Sequence, residues 1–141
     1  MRAIVIYESL TGNTRTASEG LARGLSAKGV ATVACPITEV DYQALSDADL
    51  VVVGSWVDGL FVVGQRPGRA GRLAKLPAIR GKRAIVFMTY ALNAGKALQK
   101  LSDAVAAHGA DVVGGITIRR DKLAEGVDDL VDRILDVLAT A

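Results

Sequence analysis

The sequence predicts an α/β fold, a doubly wound three-layer sandwich on a five-stranded parallel sheet of order 2-1-3-4-5. Three observations carry that expectation. Five short runs of β-branched and other apolar residues recur at Ala3 to Tyr7, Val30 to Ala34, Leu50 to Val53, Ala84 to Met88 and Val112 to Ile118. Segments with helical spacing of apolar residues separate most of these runs, the alternation that yields parallel strands joined by crossover helices. Such crossovers are right-handed, and with helices on both faces few strand orders survive.

Ala3-Ile4-Val5-Ile6-Tyr7 is apolar throughout, as suits a central strand covered on both faces. Thr14 to Lys28 follows as a helix, with Ala17, Leu21 and Leu25 on one face and Arg15, Glu19 and Arg23 spaced as i,i+4 charge pairs on another. Gly29 closes it as a C-cap. Val30 to Ala34 carries a polar Thr32, which an edge strand tolerates, and Pro36 stops it. Ile37 to Ala48 is short and polar, with room for one helical turn. Leu50-Val51-Val52-Val53 is the most β-prone run of the chain. Gly54 to Arg69 reads as a long loop interrupted by Gly54, Gly59, Gly64, Pro67 and Gly68, and a loop of this length in a compact domain tends to be functional. A short helix is expected from Pro67 to Lys75, with Pro67 in its first turn. Beyond the Ala84 to Met88 strand, Asn93 to His108 is a helix with Ala94, Leu98, Leu101 and Val105 on one face, closed by Gly109. Gly114 and Gly115 mark a bulge or a close backbone approach in the fifth strand. Leu123 to Leu138 is the last helix, its stripe running through Val127, Leu130, Val131, Ile134 and Leu138.

At 141 residues, half of them hydrophobic, the chain has room for one core and one domain, residues 1–141. No apolar run approaches a membrane span, and the N-terminus lacks a basic segment followed by a long apolar stretch and a cleavage site, so a cytoplasmic location is expected. A single cysteine, Cys35, excludes an intrachain disulfide and a multi-Cys metal site, and reads as a buried small apolar residue at a strand end. The single histidine, His108, offers no metal site and sits where a helix dipole favours it. A net charge of +2 and 4% aromatic residues give no platform for nucleic acid. Arg66, Arg69, Arg72, Lys75, Arg80, Lys82 and Arg83 nevertheless crowd one segment, whose default reading is a solvated face.

Ligands of such sheets sit beyond the carboxyl ends of the strands, at the switch point between strands 1 and 3. There lies Ser9-Leu10-Thr11-Gly12-Asn13-Thr14, a short hydroxyl-rich turn from strand to helix. It aims backbone N–H groups, the positive end of the helix dipole and the hydroxyls of Ser9, Thr11 and Thr14 at one point, and that point suits a phosphate. Gly12 takes φ > 0 without a penalty, and Asn13 tolerates a left-handed turn. The plain alternative is an ordinary strand-to-helix turn with Thr14 as N-cap. On the flanking loops stand Ser55-Trp56-Val57-Asp58-Gly59, with the only tryptophan, and Thr89-Tyr90-Ala91-Leu92-Asn93. Two aromatics there are placed to sandwich a planar ring; the alternative for Trp56 is a half-buried core aromatic. A Walker loop, a Gly-x-Gly-x-x-Gly after strand 1 and a Ser-His-Asp set are all missing, and Glu8 alone makes no receiver-type acidic cluster.

Ser-x-Thr-Gly-Asn-Thr after the first strand resembles the phosphate loop of the flavodoxins, and Ser55-Trp56-Val57-Asp58-Gly59 is similar to their Thr-Trp-Gly-Asp-Gly loop. The resemblance implies FMN as cofactor. It implies binding through Ser9, Leu10, Thr11, Gly12, Asn13 and Thr14 at the phosphate, and through Ser55, Trp56, Val57, Asp58, Gly59, Thr89, Tyr90, Ala91 and Asn93 at the ring. By the same resemblance the Asp58–Gly59 carbonyl turns toward N5 of a half-reduced flavin and stabilises the semiquinone. Val57 stands where the family has a small residue, and Tyr90-Ala91-Leu92-Asn93-Ala94-Gly95 lacks the family's acidic residues.

The implied function is a low-potential one-electron carrier with redox protein partners, a reductase as donor and an enzyme as acceptor, and a monomer is expected rather than a dimer. Positive charge from Arg66, Arg69, Arg119 and Arg120 would favour acidic partners and a less negative second couple than in acidic flavodoxins. Two other readings stay open: an FMN-dependent reductase or oxidase acting on a quinone or similar planar acceptor, and a flavin-free partner-binding domain of the same fold.

Overall fold

The computed structural model describes residues 1–9, 12–58, 66–67, 79–92 and 94–140. Along the chain run β1 (Arg2–Tyr7), α1 (Asn13–Ala27), β2 (Ala31–Pro36), α2 (Tyr42–Asp47), β3 (Leu50–Asp58), β4 (Arg66–Pro67), β5 (Arg83–Tyr90), α3 (Ala97–Ala107), β6 (Asp111–Arg119), a 3-10 turn (Arg120–Lys122) and α4 (Leu123–Ala139). Five parallel strands form one sheet in the order β2-β1-β3-β5-β6, which is the expected 2-1-3-4-5 path counted over the long strands. The two-residue β4 lies off that path and pairs antiparallel with the end of β3.

Alternation of side chains in the central strands builds two cores. Ile4, Ile6, Val51, Val53, Val86 and Met88 face Leu45 of α2 and Ala97, Leu101 and Val105 of α3. Val5, Leu50, Val52, Ile85 and Phe87 face Leu21 and Leu25 of α1 and Leu130 and Ile134 of α4. Leu21, Leu25, Val127, Leu130, Val131, Ile134 and Leu138 are all buried, so the helical stripes read from the sequence are the packed faces. Behind the sheet, α1 and α4 come close: a Cβ on Gly24 would stand 2.9 Å from Val131 Cγ2, and one on Gly20 would stand 3.7 Å from Val127 Cγ1.

Several elements differ from expectation. β3 continues to Asp58, so Gly54 to Asp58 are strand rather than loop. Gly54 looks like a breaker in sequence, but in the sheet it leaves the space that the ring of Phe87 fills. β5 likewise runs on through Thr89 and Tyr90. Pro36 closes β2 from within, paired with Tyr7, because an edge strand needs no outward N–H. α3 begins at Ala97, after Gly95 at φ 53 turns the chain, rather than at Asn93. Pro67 belongs to β4 and starts no helix; the expected helix from 68 to 75 lies outside the described residues. A register shift between Ala84 and Ile85, opposite Gly114, is the irregularity the glycine pair foretold.

The basic segment divides. Lys82 donates from Nζ to the carbonyls of Ser46 (3.2 Å) and Ala48 (2.8 Å), and Arg83 donates from Nη1 to the carbonyl of Val137 (2.8 Å). Both cations thus satisfy carbonyls at helix C-termini at the amino edge of the sheet, remote from the carboxyl edge. Cys35 is buried, and burial pushes its thiol above the ordinary range.

Two outcomes are expected. Gly54→Ala drives a methyl into the Phe87 ring and lowers unfolding stability by about 1–3 kcal/mol in urea titration, the usual cost of overpacking. Cys35 stays protonated and unreactive toward iodoacetamide at mildly alkaline pH, because its raised pKa withholds the thiolate, and it alkylates once urea unfolds the chain.

Candidate functional site

The carboxyl ends of β1 and β3 converge where the sequence places the phosphate turn. Glu8 donates its backbone N–H to the Gly54 carbonyl (3.0 Å), extending the β1–β3 ladder by one residue beyond Tyr7. α1 then starts after its N-cap Gly12, at φ 94 and with no side chain of its own to cap the helix. The Ser9 hydroxyl accepts the backbone N–H groups of Gly12 (3.2 Å) and Arg15 (3.3 Å). Among the described residues nothing lies within 4 Å of where a Cβ would stand on Gly12, so the backbone there faces open space. Leu10 and Thr11 lie outside the described residues.

Thr14 takes a different part from the one its position suggests. Its Oγ1 lies 2.8 Å from the Thr89 hydroxyl of β5, and both residues are buried. The pair ties the first turn of α1 to the end of β5. Thr89 is in register with Trp56 of β3, so α1, β5 and β3 are joined through three of the residues proposed from sequence.

Trp56 and Val57 are half-buried strand residues, and Val57 packs against the α2–α3 core. The Trp56 indole nitrogen is buried without a partner among the described residues. Asp58 pairs through its backbone with Arg66, so β4 anchors the end of β3. Alternation puts Trp56 and Thr89 on the α1–α4 side and Tyr90, half-buried, on the α2–α3 side. The two aromatics therefore flank the carboxyl edge from opposite sides. Ala91 follows in a bend; Asn93 and Gly59 lie outside the described residues.

Charge at the site is sparse. Arg15 is paired with Glu19 (Nε to Oε1, 2.8 Å), and that hydrogen bond raises the guanidinium pKa further. Burial raises the Tyr7 phenol. No group of His, Cys, Asp and Glu side chains suited to a metal occurs among the described residues. Sequence reasoning weighed Glu8 only as a member of an acidic cluster and set it aside; it is almost fully buried beside Ser55 on the α2–α3 side. The same reasoning passed over Leu92, an exposed leucine inside a loop whose other members it selected.

A family model described as flavodoxin domain matches residues 4–129. The chain belongs to the flavodoxin family. Its fold is similar to that of oxidised flavodoxin 2 from Bacillus cereus, with a TM-score of 0.71 and 19% identity over 96% of this chain and 99% of that one. A mutant form of a flavodoxin from Pseudomonas aeruginosa aligns with a TM-score of 0.70 and 15% identity over 99% and 97% of the two chains. A flavodoxin from the domain Archaea aligns with a TM-score of 0.66 and 23% identity over 95% and 99%. No curated protein sequence matches the chain.

Flavodoxins bind FMN, and FMN is the cofactor of this flavodoxin-family chain. The residues present fit it. Gly12, the N-cap of α1, is left-handed with space beside it, and the Trp56 N–H is a buried donor without a partner among the described residues.

The Thr14–Thr89 hydroxyl pair has a measurable signature. Thr89→Val leaves the Thr14 hydroxyl buried and unpaired and lowers stability by about 1–2 kcal/mol. The Thr14→Val/Thr89→Val double variant loses less than the sum of the single changes, which a double-mutant cycle in urea reads directly.

Proposed function

We propose that this chain is an FMN-binding electron-transfer protein, folded as one domain, that exchanges electrons one at a time with protein partners. The observation that carries this reading is the start of α1 at the β1–β3 switch point, where a left-handed Gly12 stands beside open space and the Ser9 hydroxyl closes the turn. Ser9, Leu10, Thr11, Gly12, Asn13 and Thr14 hold the phosphate through backbone N–H groups, hydroxyls and the positive end of the helix dipole. Ser9 accepts two backbone N–H groups and keeps its own proton to donate to a phosphate oxygen. Thr14, its hydroxyl engaged by Thr89, acts through its backbone and steadies the turn.

At the ring end, Ser55, Trp56, Val57, Asp58 and Gly59 form one wall and Thr89, Tyr90, Ala91 and Asn93 the other. FMN supplies the redox chemistry when bound, while these residues orient it and limit the access of water. The Asp58–Gly59 carbonyl is the acceptor this chain offers to a proton on the ring. Backbone pairing of Asp58 with Arg66 fixes one side of that peptide, and Gly59 allows the other to turn. No helix among the described residues is long and apolar enough to cross a membrane.

Titration of the flavin-free protein with FMN is expected to saturate at one FMN per chain and quench flavin fluorescence. Anaerobic reduction of that complex then resolves two separate one-electron couples. Gly12→Ala forces a Cβ into a left-handed backbone and weakens FMN binding about tenfold, the equivalent of a penalty of about 1–2 kcal/mol. A chain that takes up no FMN overturns the reading. Steady NAD(P)H-to-quinone turnover through a single two-electron couple replaces the carrier with a reductase.

A further inference from the structure

Leu92, in the loop after β5, is 69% exposed, the most of any large apolar side chain among the described residues. It contributes nothing to either core. Exposed cations lie on the adjoining elements: Lys96 at the start of α3, and Arg119, Arg120 and Lys122 at the end of β6. Register pairs Tyr90 with Arg119, so the Leu92 loop and the Arg120–Lys122 turn rise from neighbouring strands at the same level of the carboxyl edge. Lys96, Arg120 and Lys122 make no ion pair among the described residues.

The acidic groups nearby are largely committed. Asp121 is held by Arg119 (3.2 Å) and Asp129 by Arg133 (3.5 Å). Glu125 and Asp129 line, with Tyr90, Arg119 and Lys122, a shallow cavity of about 420 Å³ between β6 and α4. On the α1 flank, Arg15 is neutralised by Glu19. Among the described residues the charge at the Lys96, Arg120 and Lys122 corner is net positive, and Leu92 is the most exposed large apolar side chain.

We propose that Leu92, together with the exposed cations Lys96, Arg120 and Lys122 of the neighbouring α3 start and β6 end, is the docking surface for an electron-transfer partner whose own docking face is acidic. The proposal rests on the electron-carrier reading above. An apolar anchor within a polar rim is the layout of an interaction hot spot. Rim cations supply orientation and a fast encounter with an acidic surface, which suits the small, transient interfaces of redox pairs. The basic residues that do this differ from those that crowd the sequence between 66 and 83, of which Lys82 and Arg83 cap helices at the opposite edge.

The test is an NMR titration of the ¹⁵N-labelled, FMN-loaded protein with the soluble domain of cytochrome b5, which is acidic around its haem edge, with basic cytochrome c as the counter-probe. Amide shifts are expected at Leu92, Lys96 and Arg119 to Lys122, with tighter binding to cytochrome b5 that weakens as salt rises. Arg120→Glu/Lys122→Glu should weaken that binding about tenfold at low salt and flatten its salt dependence. Leu92→Ala should weaken it about fivefold at every salt concentration, since it removes an anchor and no charge. FMN affinity should be unchanged in both variants. Tighter binding to cytochrome c, shifts confined to α4, or a charge-reversed variant that binds cytochrome b5 as well as the parent overturns the proposal. Failure of the carrier reading is seen separately, as absence of FMN uptake; the same shifts in the flavin-free chain still report whether this corner docks an acidic face.

Discussion

A parallel sheet has no face to give to water, and the rest of this molecule follows from that constraint. β1, β3 and β5 run through the middle of the sheet, and nearly all of their side chains are buried. Helices must therefore lie on both sides: α2 and α3 on one, α1 and α4 on the other. The strand order reverses between β1 and β3, so the switch point lies between these two strands at the carboxyl edge. The start of α1 stands at that point, and the geometry of the candidate site is a by-product of covering the sheet.

The two edges of the sheet are finished differently. At the amino edge, adjacent residues Lys82 and Arg83 reach to opposite layers and saturate carbonyls at the ends of α2 and α4. At the carboxyl edge Gly12 turns left-handed beside open space, the Trp56 N–H has no partner among the described residues, and Leu92 points into solvent. A buried donor left unpaired is costly for folding alone. Such features at this edge mark it as the functional end.

Most of the architecture was legible because period-2 and period-3.6 patterns are written directly in the residues that form the cores. Leu21, Leu25, Leu130 and Ile134 announce their faces without any knowledge of neighbours. Strand ends were less legible. Gly54 reads as a break on propensity, and only the position of the Phe87 ring, far along the chain, explains why the strand passes through it. Thr14 and Thr89 show the same limit at the site. Each was selected for its position at the carboxyl edge, yet their hydroxyls meet each other, a long-range pairing that no local spacing reveals. The cation cluster shows the same limit: Lys82 and Arg83 stand in sequence with cations of the 66–83 segment and read by default as a solvated face, while the fold sends them to helix ends at the amino edge.

The glycine seam between α1 and α4 has a mechanical consequence. With Gly20 and Gly24 opposite Val127 and Val131, the two helices mesh so closely that neither can slide or roll without jamming the other. α1 is keyed along its middle to a 17-residue helix that is itself bolted at its far end by Arg83. The tip of α1 that carries Gly12 is thus clamped twice, by the Thr14–Thr89 tie at the turn itself and by a joint two to three turns away, and its aim is fixed by both.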